Sequence, residues 1–399
     1  MPHRAAVPRR TLSVLVASLL LLGLSGTNAT AASRYTITTR QIAPGLVWKS
    51  IVDSVGPNRI NALIVTPSQA VSLDTAAAAP TMPGNARTSS MASAHKALAG
   101  VNGDFGASDG RPTHPFLDDG DLRVSGDHTG YSFGLSQDEL SEFFGQSDLQ
   151  ISADAGTGPV KVAEWNPDSL SDNELDGYTT AGGTMSSPPG NACSVRLLPA
   201  SKLAWSAGMA GLQQVFSVDA VQCSSGALAR NGGTVLSTRL GSSRADWVRS
   251  LVRGQQVTIA KSFGWADVLD VISGAPMLLQ NGVNVAPASC GWDFCSAQPR
   301  SGVGATAGCF ARSTSCQIIL AIVDGRRPGY SVGMKLPAFG DVFKMLGATT
   351  AMNFDGGGST TMWIKGYGVV NRPTDSSGER AVPNALLVLP GTDPSDPAM

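Results

Sequence analysis

The sequence predicts a strand-rich, mixed α/β fold, and three observations carry that expectation. The 46 glycines and 24 prolines imply many turns and argue against a helical bundle. The nearly continuous apolar run 317–323 reads as a strand buried on both faces. Phe339, Val342, Phe343 and Leu346 then recur at helical spacing, with Pro337 near the start and Gly347 at the end, before a second apolar run at 351–354. This C-terminal strand–helix–strand unit implies two neighbouring parallel strands joined by a right-handed crossover. Asp324 and Asp355 would then emerge at the same carboxyl edge of the sheet, where open α/β sheets bind ligands.

The N-terminus is read as a signal peptide over residues 1–31. Arg4, Arg9 and Arg10 precede an apolar stretch at 14–24 and the small-residue site Ala29-Thr30-Ala31. Sec and twin-arginine export both fit Arg9-Arg10-Thr11-Leu12. The expected product is a secreted, extracellular protein with no integral membrane segment after signal cleavage. A net charge of −1 gives no electrostatic footprint for nucleic acid or for a membrane surface, and 42% hydrophobic residues suffice for a sizeable core. All six cysteines follow the signal segment, and an even number in an exported chain favours disulfides over a metal site. Proximity suggests Cys193–Cys223, Cys290–Cys295 and Cys309–Cys316.

Along the chain, residues 32–94 read as an N-terminal strand-rich segment packing on the core, with a short helix at 89–98 presenting Met91, Ala94 and Leu98. His95 lies beside that face. The run 99–105 ends in Asn102-Gly103-Asp104-Phe105, either a plain Asn-Gly turn or a carboxylate displayed at a strand end. Asp119-Gly120 and Asn281-Gly282 are hairpin signals. Between 133 and 238 the pattern is thin: strands are expected at 160–162 and 195–198, and a polar surface excursion at 166–187. A helix at 245–252 turns Trp247, Val248 and Leu251 inward, and a strand follows at 256–261. The small residues of Ile272-Ser273-Gly274-Ala275-Pro276 would let another backbone or a ligand approach closely. Arg300 is either an anion contact or a simple exposed arginine. Asp355-Gly356-Gly357-Gly358-Ser359-Thr360 could form a nest of N–H donors for an anion beside one carboxylate.

The motifs Asn102 to Phe105, Ile272 to Pro276, 297–304, Val323-Asp324-Gly325-Arg326-Arg327 through Met334, 353–361 and Asn371-Arg372-Pro373 through Leu386 occur in that order. Together they resemble the phosphodiester glycosidase family, over residues 95–390 and most closely from 297 onward. Gly106 stands where that family usually has an aromatic, and the 272–276 motif is less glycine-rich than its counterpart. The resemblance implies an α+β or mixed α/β fold with a mixed sheet, in a single catalytic domain at 95–390 followed by a flexible tail at 391–399. It also implies a hydrolase that cleaves a sugar from a sugar-1-phosphodiester, on cell-envelope or extracellular glycan.

That chemistry expels a weakly basic phosphate, so its demands are to hold the anion and to stabilise an oxocarbenium-like sugar with carboxylates. Asp104, Asp324 and Asp355 are the candidate catalytic residues. Asn102, Arg300, Arg327, Gly356, Gly357, Gly358, Ser359, Thr360, Arg380 and Asn384 are the candidate substrate contacts. No cofactor is expected. The rival is Ca²⁺ or Mg²⁺ held by Asp104, Asp324, Asp355 and Asn384, as in a metal-dependent phosphodiesterase. Gly329-Tyr330-Ser331-Val332-Gly333 spells a serine-hydrolase elbow, but the last histidine is His128, upstream of it, whereas that fold needs its histidine downstream. A non-catalytic, anionic-glycan-binding protein is the other alternative.

Overall fold

In the computed structural model, residues 34–107, 109–136, 142–146, 148–206, 211–290, 293–309 and 316–391 are described. The proposed signal peptide and nearly all of the tail lie outside them. Strands dominate, with three α-helices among the described residues, and the described residues from 34 to 391 belong to one unit.

The site is built on an eight-stranded sheet whose order is Tyr35–Ala43, Leu46–Asp53, Asn58–Val65, Ile318–Val323, Arg300–Ala305, Thr350–Asn353, Met277–Gln280, Val283–Asn284, every neighbouring pair antiparallel. The expected crossover is thereby corrected. Ile318–Val323 and Thr350–Asn353 do run parallel, but Arg300–Ala305 lies between them and pairs antiparallel with both. A single strand–helix–strand pattern cannot show that a third strand, earlier in the chain, has been inserted between its members. Asp324 and Asp355 still leave the sheet at one edge.

The Ile318–Val323 strand is buried on both faces, as its continuous apolar character requires. Ile318, Leu320 and Ile322 join Leu63, Val303, Phe354 and Leu386 in one core. Ile319, Ala321 and Val323 face the opposite layer, the helix Leu336–Met345, through Phe339, Val342 and Phe343. Glycine makes that contact close. A Cβ at Gly304 would lie 2.7 Å from the Phe343 ring, and one at Gly302 would lie 3.3 Å from both Phe339 and Phe343.

Against the other face lie two five-stranded sheets. One has the order Gly368–Val369, Met362–Ile364, Ala99–Asn102, Asn384–Pro390, Val71–Ala77; the other is Glu142–Gln146, Tyr131–Ser136, Val268–Gly274, Phe116–Asp118, Asp121–Val124. The segment 32–94 is therefore not a layer resting on the core. Asn58–Val65 pairs with Ile318–Val323, and Val71–Ala77 pairs with Asn384–Pro390, inside the same sheets. Both hairpin signals form turns with positive φ at Asp119 (52°), Gly120 (75°), Asn281 (49°) and Gly282 (77°).

The thinly patterned middle of the chain closes into a barrel of seven strands: Asn191–Pro199, Thr234–Arg239, Leu175–Tyr178, Pro159–Trp165, Gln150–Asp154, Gln256–Ser262 and Gly211–Ser225, which pairs back onto Asn191–Pro199. Its interior holds Ile151, Val162, Trp165, Val195, Leu236 and Ile259, with the helix Arg244–Ser250 against it. The expected surface excursion at 166–187 is corrected here. Asn166 is fully buried, and Leu175–Tyr178 is an interior barrel strand. The polar residues that suggested a loop are spent internally: Asn166 donates to the Arg123 carbonyl and to Thr179 Oγ1, 2.9 Å each. The three disulfides are Cys193–Cys223, Cys290–Cys295 and Cys309–Cys316.

Truncating Phe343 to alanine should cost about 3–5 kcal/mol, because the ring fills the interface over Gly302 and Gly304. Urea denaturation reads this directly. A midpoint shift worth under about 1 kcal/mol would mean that the helix does not anchor the sheet.

Candidate active site

Two strands deliver the site. Ala99–Asn102 ends at Gly103-Asp104-Phe105, and Thr350–Asn353 ends at Phe354-Asp355. The two ends are joined directly, since the Asp355 N–H donates to the Gly103 carbonyl (3.0 Å). Asn102, fully buried, reinforces the join. Its Nδ2 donates to the Asp355 carbonyl (2.8 Å), while its Oδ1 accepts from Ser301 Oγ (2.7 Å) and the Thr361 N–H (3.1 Å). The 272–276 motif serves the same junction. A Cβ at Gly274 would strike the Asn353 carbonyl, and Asn353 Nδ2 donates to the Ala275 carbonyl (2.9 Å). The close approach expected at that motif is therefore a backbone's, from inside the protein.

Asp355 opens onto a cavity of about 270 Å³ lined by Phe105, Asp293, Phe294, Gln298, Arg300, Arg326, Asp355, Gly356, Gly357, Gly358 and Arg380. Burial raises its pKa. The Ser359 hydroxyl, the Gly356 N–H and the charge of Arg380 act in the opposite direction, and Asp104 adds to the rise. Three guanidiniums share this pocket. Arg380 is clamped by Asp375 through its Nε (2.7 Å) and Nη2 (3.0 Å) and reaches Ser359 Oγ through Nη1 (3.4 Å). Gly358 is needed beneath that clamp, because a Cβ there would overlap both Arg380 and Asp375. Arg326 donates from Nε to Gln298 Oε1 (2.6 Å).

Arg300 is not the simple exposed arginine that the sequence also allowed, being only 2% exposed, yet it lines the cavity. Its Nε donates to the Met334 carbonyl (3.0 Å), and its Nη2 donates to the carbonyls of Phe294 (2.6 Å) and Ser296 (2.8 Å). Burial pushes its pKa down to about 10, with the neighbouring Arg326 adding to the effect. It is a cation at the pocket wall whose main hydrogen bonds shape the 294–296 loop.

The other expected residues fall into different places. Asp104 is 1% exposed and spends its carboxylate on its neighbours. Oδ1 accepts from the Phe105 N–H (2.7 Å) and lies 2.7 Å from His114 Nδ1, while Oδ2 accepts from the His114 N–H (2.8 Å). Burial lowers the His114 pKa, but Asp104 outweighs it, and the net shift is upward. Asn384 accepts the Asp104 N–H at Oδ1 (2.9 Å) and lies outside the pocket lining. Asp324 also lies outside it. It accepts from the Arg372 N–H (2.9 Å), Tyr330 Oη (3.3 Å) and Asn371 Nδ2 (3.4 Å), fastening the segment that follows the site. Arg327 turns away to the Pro373 carbonyl (2.8 Å), and it is Arg326, not Arg327, that lines the cavity.

Two further expectations are corrected by this geometry. The Gly356–Thr360 loop is not an open nest. Its N–H groups at Gly356, Gly357, Ser359 and Thr360 are bonded to Asp355 Oδ1 and to the carbonyls of Pro299, Gly356 and Gly357, and Ser359 and Thr360 are buried. Guanidiniums, not backbone amides, supply the positive potential. Asp104, Asp324, Asp355 and Asn384 also do not form a common cation cage. Asp104 and Asp324 are committed to other partners, and Asp355 faces three arginines. Ser331 is no nucleophile elbow, since its hydroxyl donates to the Asp324 carbonyl (2.6 Å) and accepts the Arg59 N–H (3.0 Å).

Sequence reasoning passed over Asp293, Phe294, Gln298 and Arg326, and quoted Phe105 without giving it a role. The signal for Asp293 and Phe294 was the tight Cys290–Cys295 loop, which presents both residues to the cavity. Nothing in Arg326-Arg327 distinguishes the two arginines; the positive φ of Arg326 (56°) does.

Replacing Asn102 with alanine should strand the Asp355 carbonyl, the Ser301 hydroxyl and the Thr361 N–H inside the core. The expected loss is about 2–4 kcal/mol by chemical denaturation. An unchanged midpoint would show that this junction is held by other contacts.

The phosphodiester glycosidase family model matches residues 207–389. No curated protein sequence matches the chain significantly. Among solved structures, a hypothetical protein from Synechocystis is similar at 20% identity and a TM-score of 0.68, over 88% of this chain and 63% of its own. A Burkholderia pseudomallei protein designated as a presumed exported protein is similar at 18% identity and a TM-score of 0.63, over 89% of this chain and 96% of its own. The zebrafish N-acetylglucosamine-1-phosphodiester alpha-N-acetylglucosaminidase catalytic domain, auto-inhibited by its pro-peptide, aligns at 15% identity and a TM-score of 0.43, over 90% and 85% of the two chains. The first two likenesses concern the fold. The resemblance read from the motifs and the match at 207–389 agree on the family, and that stretch carries Arg300, Arg326, Asp355 and Arg380.

Proposed function

We propose that the protein is an exported hydrolase that cleaves a sugar from a sugar-1-phosphodiester, with a specificity akin to that of a phosphodiester N-acetylglucosaminidase. The observation that carries this reading is the meeting, in one pocket, of a half-buried carboxylate on Asp355 and the guanidiniums of Arg300, Arg326 and Arg380. The matched family supplies the reaction class. The three disulfides fit an oxidising compartment outside the cytosol.

In the reaction, the bond between sugar C1 and the phosphate oxygen breaks and its electron pair stays on the phosphate. Arg380 and Arg326 neutralise that charge, so a strong acid at the leaving oxygen is not required. Asp355 stabilises the positive charge that develops at C1. It either attacks C1 itself or takes the proton of the attacking water. Phe105 and Phe294, with ring centroids 5.8 Å apart, offer apolar faces to the sugar. Asp104, locked to His114 beneath Phe105, sets the position of that wall and keeps Asp355 from ionising too readily.

Asp355→Asn should lower kcat on a methyl phosphodiester of N-acetylglucosamine-1-phosphate by about 10³-fold or more, with the circular dichroism spectrum unchanged. Full activity in this variant would remove Asp355 from the mechanism. Released sugar should be the same with and without EDTA, and loss with EDTA alone would restore the metal-dependent alternative. No released sugar under either condition, with the substrate still bound, would favour the glycan-binding reading.

The pH profile offers an independent check. Asp355 works as the carboxylate, and burial raises its pKa, so activity should fall on acidification along a limb above the ordinary carboxylate range. The charge of Arg380 lowers that pKa. In Arg380→Ala the acid limb of kcat/KM should therefore move to higher pH. A limb that stays put or moves down would assign the titration to another group.

A further inference from the structure

We infer that the preferred substrate is a chain carrying several phosphates, because a row of arginines outside any ion pair leads out of the pocket to the ring of Tyr330. This inference rests on the sugar-1-phosphodiester reading and extends it to the part of the substrate outside the cavity.

The row starts at the pocket wall. Arg326 takes a left-handed backbone conformation (φ 56°), which is unfavourable for a residue with a side chain. Its consequence is that adjacent arginines diverge: Arg326 reaches Gln298 inside the cavity, while Arg327 reaches the Pro373 carbonyl outside it. Pro373 is preceded by Arg372, whose exposed guanidinium lies 4.0 Å from the centroid of the Tyr330 ring. On the same ring, at 5.4 Å, lies the guanidinium of Arg59, whose buried Nε has no hydrogen-bond partner. Two cations thus share one aromatic ring immediately beyond Arg327.

No ion pair forms along this row among the described residues, although the charge of Arg327 acts on the buried Asp324 carboxylate. Nine of the described arginines are in ion pairs; Arg40, Arg87, Arg230 and Arg300 are in none, and neither are Arg59, Arg326, Arg327 and Arg372, which are linked through Tyr330, Pro373 and the pocket wall. The nearby carboxylate, Asp324, is 2% exposed and spends its oxygens on the Arg372 N–H, Asn371 and Tyr330. In a protein of net charge −1, four guanidiniums outside any ion pair, gathered beside a pocket, are a local feature, not a consequence of overall charge. The ligand chemistry they fit is a string of phosphodiesters: one phosphate in the pocket against Arg326 and Arg380, and the next on Arg327, Arg372 and Arg59.

The test compares a phosphodiester-linked tetramer of N-acetylglucosamine-1-phosphate with the single methyl phosphodiester of the same sugar. In the R59A/R372A double variant, and to a smaller extent in Arg372→Gln alone, kcat/KM on the tetramer should fall about tenfold or more, while the methyl ester is hydrolysed within twofold of the wild-type rate. Equal losses on both substrates, or none on either, would overturn the inference. Calorimetric titration of the tetramer into Asp355→Asn protein, with and without the double substitution, separates this inference from the proposed activity. Weaker binding in the triple variant supports the row even if no protein cleaves either compound, an outcome that would count against the hydrolase reading alone. Unchanged tetramer binding refutes the row whatever the hydrolysis shows. So does a loss seen only for binding to vesicles of acidic phospholipid.

Discussion

The carboxamide of Asn102 is hydrogen-bonded to two pieces of chain far from it in sequence: the Asp355–Thr361 segment, through the Asp355 carbonyl and the Thr361 N–H, and the Ser301 hydroxyl. Each of these partners sits at or beside a strand that borders the site; Ser301 and Thr361 are fully buried, and Asp355 is half-buried. An amide in that position cannot be replaced by an apolar group without leaving partners unsatisfied, nor by a charge without desolvating it. The relative placement of the Asp104-Phe105 turn, the Asp355 loop and the Arg300 strand therefore follows from a few hydrogen bonds at their junction. The cavity is what remains between those three segments once they are joined.

Around that junction, polar groups divide into those that hold and those that face out. Asp104, Asp324, Asn384, Ser359 and Ser331 are buried and committed to neighbours. Asp355 and the guanidiniums of Arg326 and Arg380 keep access to the cavity. The glycines serve the same division. Gly358 leaves room for the Arg380–Asp375 clamp, and Gly356 lies against the Pro299 carbonyl, 2.6 Å from where its Cβ would be. The run of three glycines is thus explained by close packing of protein on protein, and the positive charge at the pocket comes from arginines.

Much of this was legible in the sequence wherever a local pattern determines a local outcome. Period-2 and continuous apolar runs marked the Ile318–Val323 strand, helical spacing marked the Leu336–Met345 helix, and Asp-Gly and Asn-Gly marked two hairpins. Asp355 and Arg380 were found because they stand in motifs dense with glycine and charge. What could not be read is whatever depends on partners distant in sequence. Arg300–Ala305 slips between two strands that seemed adjacent, and seven strands of mixed polarity close a barrel whose polar residues find partners distant in sequence. Whether Asp104 or Asp324 faces a ligand depends on what competes for its oxygens, and His114, Arg372 and Tyr330 are the competitors. The choice between Arg326 and Arg327 turns on a single backbone dihedral.

The strand Asn384–Pro390 has a position with a temporal meaning. It lies between Val71–Ala77 and Ala99–Asn102 and pairs with both, so the two earliest strands of that sheet have no contact through hydrogen bonds until it arrives. The barrel, by contrast, is assembled from residues 150–262 and needs nothing from either flank to close its ring. A chain synthesised or threaded through a membrane from its N-terminus would therefore complete the barrel first. Val71–Ala77 would remain without its sheet partner until residues 384–390 are delivered, although Asn58–Val65 can already pair with Leu46–Asp53. Long-range pairing of this kind is slow and leaves strand edges exposed meanwhile. The pocket needs Arg380 as well as Asp355, so its lining is complete only once the chain has been delivered that far.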